Sequence, residues 1–499
     1  MLPDLHPVWE FLLTFRKSSF QYPSMNDANK FSRRNFIKNA AVAGAAFTIV
    51  PRFVLGGKGF IAPSDTVYIA GIGVGGKGAS DLTGVANNPY AKVVFLCDVD
   101  DRMAVDSKKN FPQAKYYKDF RVMLDKENKS IDAVTVSTPD HVHAIAAMAA
   151  MNRGKHVYVQ KPLTWSIYEA RMLAEAAKRN KVVTQMGNQF ASAEAVRRAK
   201  EMVDAGLIGD VTNVLAWTNR PVWPQGIAAP TGKFDVPKEL DWDLWLGPAP
   251  SIDFNPAYLP FNWRGWWAFG TGALGDMGCH VMDAAFRILP IDFPNEVECS
   301  ATTAWSGFFQ EADYKESCPS SSIIHLNFPR TDGKGDIKLT WMDGGLLPKR
   351  PEELKPDEPM GDIDGGYIFE GSKGKLMGNY NTLPVLLPTS RMKEETLPKP
   401  TLPRVPGNEA GHYTQWVDAC RAGYGKMKIS SPFEYAGPFT EAVIMGNLAL
   451  RSYGMRQNGN RYPGRKKLLW DAKNMKITNF DEANQFVQRN YRKGWTLGE

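Results

Sequence analysis

The chain has 499 residues, 23% of them charged and 43% hydrophobic, a balance that fits a folded protein of two or three domains and excludes disordered and fibrous classes. Its formal charge of +7 is concentrated at one end, where residues 1–58 hold eight Lys/Arg against Asp4, Glu10 and Asp27. The rest is close to neutral, so no nucleic-acid face is expected, and five cysteines without a C-x-x-C pair exclude a disulfide framework.

The first element is Ser32-Arg33-Arg34-Asn35-Phe36-Ile37-Lys38, followed by a weakly apolar run from Ala40 to Val50 that ends at Pro51. This reads as a twin-arginine export signal, and its apolar run is too short to span a bilayer. The twin-arginine machinery becomes an expected partner. The location expected is periplasmic, with membrane association if the signal is not cleaved. Met25 is a more natural start than Met1, and cleavage is expected anywhere between Ala43 and Ala62, or not at all.

Residues 59–187 read as a dinucleotide-binding domain. The run Val67–Ala70 is a buried strand that leads into a turn carrying Gly71, Gly73, Gly75 and Gly76, then a helix to about Val85. In a G-x-G-x-x-G turn the first glycine allows the bend and the second lets a pyrophosphate approach the backbone. The third, Gly76 here, lets helix pack on strand. The next strand, Val93–Cys97, ends at Asp98, a carboxylate placed to accept from ribose hydroxyls and to repel a 2′-phosphate. NAD is therefore expected rather than NADP. Strands at 131–136, 156–159 and 182–185 alternate with helices at 141–152 and 166–179, a rhythm that predicts a doubly wound parallel sheet.

After a helix at 193–205 the composition changes, and residues 188–460 read as a second domain. Strands at 211–217, 297–303, 322–328, 336–341, 367–370 and 375–377 predict a largely antiparallel sheet. The stretches 347–364 and 389–408 are expected to be surface excursions. A helix near 439–452 is expected to pack back on the first domain, and 461–499 forms a polar tail with no assigned role.

Ligands of open parallel sheets bind beyond the strands' carboxyl ends. Thr138, Pro139, His141 and His143 follow the third predicted strand and Lys161 the fourth, so these residues are expected to face the nicotinamide half. Taken alone, Lys161 reads better as a strand-end surface lysine. Two histidines without a third ligand at suitable spacing make no metal site, and none is expected. Asp276 and His280 stand four apart on a predicted helix and share a face, where a carboxylate can orient an imidazole base. Trp263, Arg264 and Trp266, with Asn188 and Gln189, are candidates for holding a sugar.

The glycine turn, Thr138-Pro139-Asp140-His141, Lys161-Pro162 and the Asp276-x-x-x-His280 helix, in that order, resemble the Gfo/Idh/MocA oxidoreductases over about residues 64–460. The resemblance implies a Rossmann domain followed by an α/β domain whose open sheet often mediates homo-oligomers. It also implies that Lys161, Asp276 and His280 match the family's catalytic trio. One position departs from the pattern: Gln160 stands where the family usually has Glu. The function expected is NAD-dependent oxidation of a secondary alcohol of a sugar, glycoside or cyclitol, with a tightly bound cofactor because free NAD is scarce outside the inner membrane. The alternatives are an NAD-dependent glycosidase working by transient oxidation and elimination, and a sugar-binding protein that retains the fold without the chemistry.

Overall fold

The computed structural model describes residues 61–458 and 461–498. Met25, Arg33 and Arg34 lie outside the described residues, and with them the leader.

Strands β1 (Val67–Ile72), β2 (Ala91–Cys97), β3 (Lys115–Tyr117), β4 (Ala133–Val136), β5 (His156–Val159) and β6 (Thr184–Met186) form one sheet in the order β3-β2-β1-β4-β5-β6. Every pairing is parallel. This is the doubly wound order, and its near-continuous apolar strands require cover on both faces. The crossovers are α1 (Lys77–Ala86), α2 (Val105–Asn110), α3 (Phe120–Lys126), α4 (Asp140–Met151) and α5 (Ile167–Asn180). The α5 start is legible in the sequence because Ser166 and Glu169 form a reciprocal capping box. Between β2 and β4 the sequence reading has no elements. There α2, β3 and α3 span only six, three and seven residues, too few for a period to show.

After α6 (Glu194–Asp204) and β7 (Val211–Thr218) come the short α7 (Trp242–Leu246), then α8 (Gly272–Val281) and α9 (Asp283–Ile288). The remaining strands are β8 (Glu296–Ala301), a β9–β10 hairpin (Trp305–Gly307, Gln310–Glu311), β11 (Ser322–Pro329), β12 (Asp336–Met342), β13 (Gly365–Gly371), β14 (Gly374–Gly378), β15 (Val385–Leu387), β16 (Leu468–Asp471) and β17 (Lys476–Ile477). Apart from the hairpin they join β7 in a nine-stranded sheet, order β15-β14-β13-β7-β12-β11-β8-β16-β17. Only β7–β12 is parallel within it.

Three further helices are α10 (Arg391–Glu394), α11 (Gly411–Ala422) and α12 (Phe433–Tyr453). Helix α12 packs on α5 and on β8. A Cβ on Gly437 would come 2.8 Å from Ala174 Cβ, so only glycine permits this approach. The forked pair Arg171–Glu441, at 2.6 and 2.7 Å, locks the two helices together. Helix α11 falls where the sequence reading has no helix. Its Tyr413, Trp416, Val417 and Cys420 cover Val67, Ile69, Tyr158 and Val183 of the parallel sheet. The buried polar His412 beside them blurs its apolar stripe.

The polar tail is built into the fold. It supplies β16 and β17, and its end returns to the parallel-sheet half, where the Trp495 ring meets Phe120 at a tilt and the Arg121 guanidinium lies over it at 4.0 Å. The 347–364 excursion buries Leu354 among Trp217, Ile368 and Met377, and so covers one face of β7, β13 and β14. Among the described residues no helix is long and apolar enough to cross a membrane.

Candidate active site

A cleft of about 1130 Å3 runs past the carboxyl ends of the parallel strands. The glycine turn lies along it, with Lys161, Arg264 and His280 also in its wall. Gly73 has φ +73°, and a Cβ there would meet the Ser137 carbonyl at 2.8 Å. On Gly75 a Cβ would stand 2.6 Å from Met103 Cβ. At Gly76, φ +50°, a Cβ would meet nothing within 4 Å, so the turn is open at the α1 N-terminus. The helix-packing role expected of Gly76 falls instead to Gly78, whose Cβ would lie 1.9 Å from the Gly73 carbonyl oxygen. An open glycine turn capping a ten-residue helix fits a pyrophosphate, held by backbone N–H groups and the helix dipole.

At the end of β2, Asp98 accepts from Val74 N–H at 2.8 Å and Asp100 N–H at 3.0 Å, which ties it across the turn. Burial pushes its carboxyl upward. The nearby cations all have partners: Arg102 forks onto Asp100, and Lys108 and Lys118 both reach Asp101. With Asp98 present and those cations neutralised, this end suits ribose hydroxyls better than a phosphate.

Gln160 is explained by its neighbour Asp81. This fully buried carboxylate accepts from Gln160 Nε2 and Ser137 Oγ, both at 2.8 Å, from Tyr413 OH at 2.9 Å, and from the Lys77 ammonium. It joins α1 to the ends of β4 and β5 and to α11. A glutamate at 160 would set two carboxylates face to face, so the amide fits because Asp81 carries the charge. Gln160→Glu is therefore expected to cost about 1–3 kcal/mol at pH 8 and less at pH 5.5. The folded pair would hold a shared proton that the unfolded chain gives up, so its stability falls as pH rises. Equal losses of Tm at the two pH values would contradict this.

At the opposite end of the cleft, Lys161 leaves β5 just before Pro162 and reaches across to α8. Its Nζ donates to Asp276 Oδ1 at 2.8 Å and to the Asp276 carbonyl at 2.7 Å. Arg264 Nε adds a longer contact of 3.4 Å to the same carboxylate oxygen, its guanidinium lying over the rings of Phe261 and Trp263. Burial works to raise the Asp276 carboxyl, but Lys161 and then Arg264 outweigh it and hold it at about 2. His280, one turn on, is held down at about 3, first by burial and then by the Lys161 charge. The ring is therefore neutral at ordinary pH and available as a proton acceptor. No hydrogen bond links Asp276 to His280 among the described residues. Instead of orienting the imidazole directly, the carboxylate holds Lys161 beside it, while Phe190 and Tyr380 pack on the ring, each 5.4 Å away between centroids.

The other candidates divide. Thr138, Pro139, His143, Gln189 and Trp263 line the cleft. The two ring nitrogens of His143 lie 2.8 Å from the carbonyl oxygens of Pro162 and Thr138. His141, Trp266 and Asn188 stand elsewhere. His141 faces the carbonyls of Trp245 and Phe269 within an aromatic cluster, and burial drives it to about 3. Trp266 belongs to that same cluster, and Asn188 lies behind His280. Lys77, Asp81 and Tyr413 are absent from the sequence reading. Only the i, i+4 spacing of Lys77 and Asp81 hints at them.

A dinucleotide turn at one end of a cleft and a Lys–Asp pair beside a neutral histidine at the other define a nucleotide-dependent oxidoreductase class of site. Comparisons with known proteins agree. A family model described as "Oxidoreductase family, NAD-binding Rossmann fold" matches residues 67–188, and its companion, "Oxidoreductase family, C-terminal alpha/beta domain", matches 192–308. Over these residues, just under half of the chain, it is similar to the Gfo/Idh/MocA oxidoreductases, with an NAD-binding Rossmann domain. It is 28% identical over 198 residues to levoglucosan dehydrogenase of Pseudarthrobacter phenanthrenivorans, a match covering 40% of this chain and 42% of that protein. It is 25% identical over 205 residues to a glycosyl hydrolase family 109 protein of Shewanella pealeana, covering 36% and 44%. The matched stretches thus span a little over two fifths of these relatives' length. The fold is also that of levoglucosan dehydrogenase solved in complex with NADH, with TM-score 0.51 and 17% identity over 77% of this chain and 98% of that one.

Proposed function

We propose that this protein oxidises a secondary alcohol of a sugar, glycoside or cyclitol, with Lys161 and His280 acting on the substrate oxygen and with NAD held tightly. The observation that carries the reading is the Lys161–Asp276 pair beside neutral His280, in the cleft that begins at the glycine turn. Bound NAD would supply the hydride acceptor, held by the turn from Gly73 to Gly76 and by Asp98. Lys161, paired with Asp276, polarises the substrate oxygen. His280 takes the hydroxyl proton; although it is a weak base, the O–H becomes strongly acidic as a carbonyl forms, so transfer late in the step suffices. Arg264, Trp263 and Gln189 are placed to hold sugar hydroxyls and C–H faces.

The test is to purify the protein, desalt it, release nucleotide with acid, and screen glycosides for keto-products without added cofactor. Retained NAD with a keto-product is the expected result, and protein that turns over only with added NAD would contradict tight retention. The match to glycosyl hydrolase family 109 supports a second reading, net glycoside cleavage through a transient ketone. In the same assay that reading gives free aglycone with no lasting keto-sugar.

We also propose export by the twin-arginine route, on the strength of Arg33-Arg34 and the apolar run after them. Arg33→Lys with Arg34→Lys is expected to leave the protein in the cytoplasm on fractionation. Normal export of that double variant would defeat the idea. Self-association is proposed through the outer face of β8, β11 and β12, where Glu298, His325 and Lys338 are exposed. A monomer by sedimentation at micromolar concentration would remove it.

A further inference from the structure

His280 separates the main cleft from a second, small cavity of about 10 Å3, room for one water molecule. Polar atoms crowd its wall. Asn188 Oδ1 and Nδ2, the Tyr367 hydroxyl, Asn379 Nδ2 and His280 Nδ1 are all buried and have no hydrogen-bond partner among the described protein atoms. Asn188, Tyr367 and Asn379 are each about 1% exposed. Such groups are costly to bury unpaired, so several around one cavity point to a shared partner inside it. The surrounding scaffold is fixed. Asn379 Oδ1 is engaged by the Tyr380 N–H at 2.7 Å, and the Tyr380 hydroxyl is bound to Asp364 at 2.9 Å.

We propose that this cavity holds one buried water that accepts the His280 Nδ1 hydrogen and so fixes the ring in the tautomer whose Nε2 lone pair is free for substrate. One water serves four of these five atoms, all but Asn188 Nδ2. The water accepts from His280 Nδ1–H and from Asn379 Nδ2–H, and it donates to Asn188 Oδ1 and to the Tyr367 oxygen, which uses its full capacity of four. No carboxylate does this for His280, because Asp276 is committed to Lys161 and Arg264, and Asp283 in the cavity wall to Arg287 and Tyr435. Asn188, Tyr367 and Asn379 are then positioning residues that act through the water. The proposal rests on the reading of His280 as the proton acceptor, but its tautomer can be measured without any substrate.

The experiment uses full-length protein labelled with [15N]histidine. Only seven histidines contribute, and His280 is assigned by its loss in His280→Gln. Long-range 15N–1H correlation is expected to show His280 with its proton on Nδ1, and an Nε2–H ring in the wild type would overturn the proposal. Asn379→Leu, which fills the cavity with an apolar side chain, is expected to mix the two tautomers. It is also expected to slow hydride transfer about 10- to 100-fold, with KM and NAD affinity little changed, because a base with its proton on the wrong nitrogen is idle. A His280 spectrum unchanged in Asn379→Leu would also overturn it. Tyr367→Phe, which removes only the hydroxyl, repeats the test with the least risk to folding. If His280→Ala itself keeps the hydride-transfer rate, the base reading fails while the tautomer result still decides the water site.

Discussion

His280→Ala is expected to slow hydride transfer by about 10²–10⁴-fold, the usual worth of a positioned acid or base, while NAD affinity stays near that of the parent. The two effects separate because His280 stands on α8, outside the parallel sheet that carries the glycine turn and Asp98. Truncation also removes a ring wedged between Phe190 and Tyr380, so a modest stability loss should accompany it. The measurement is single-turnover absorbance in the reduced-nicotinamide band, with nucleotide affinity measured separately. A parental rate would end the role assigned to His280. The parent should show no His280 inflection between pH 7 and pH 5, because its ring stays neutral down to about 3. Cutting off the Lys161 charge should move that inflection upward, since Lys161 is, after burial, the largest influence holding it down.

Lys161→Ala is expected to do two things that a second substitution can separate. It removes the cation that polarises the substrate oxygen, and hydride transfer should fall on the same scale as for His280→Ala. It also strands Asp276, whose side chain is 15% exposed and keeps only the 3.4 Å contact to Arg264. Breaking a buried pair from one side costs about 3 kcal/mol, and the Asp276 carboxyl should titrate upward from about 2. In the parent its depressed value contributes stability above about pH 4 that disappears as pH falls through about 2, so the stability gap between parent and variant should narrow in acid. Lys161→Ala with Asp276→Asn removes the stranded charge. It should recover much of the lost Tm yet remain inactive. Recovery of activity along with stability would mean that Lys161 serves only the fold.

What the sequence determined by itself was whatever local spacing controls. Five of the six parallel strands, all but β3, and their order of appearance follow from short apolar runs that each end in a turn, because a strand buried on both faces has little polar freedom. The glycine turn, Asp98, Lys161 and the Asp276–His280 spacing were visible for the same reason, since each depends on neighbours a few residues away. The Ser166–Glu169 capping box was likewise printed in the chain.

Only the tertiary structure decided what depends on partners far along the chain. Asp81 becomes the anchor beneath the glycine turn because Gln160 and Tyr413, 79 and 332 residues away, converge on it. Asp276 turns from His280 to Lys161 because β5 and α8 meet across the cleft, and an ammonium at 2.8 Å outcompetes an imidazole for a carboxylate. Asn188 passes from the sugar side to the back of His280 because β13 and β14 bring Tyr367 and Asn379 up to meet it. The polar tail joins the sheet because β8 leaves an edge that β16 can pair. In each case the deciding contact lies between segments that no period or motif connects, and the fold alone sets their distance.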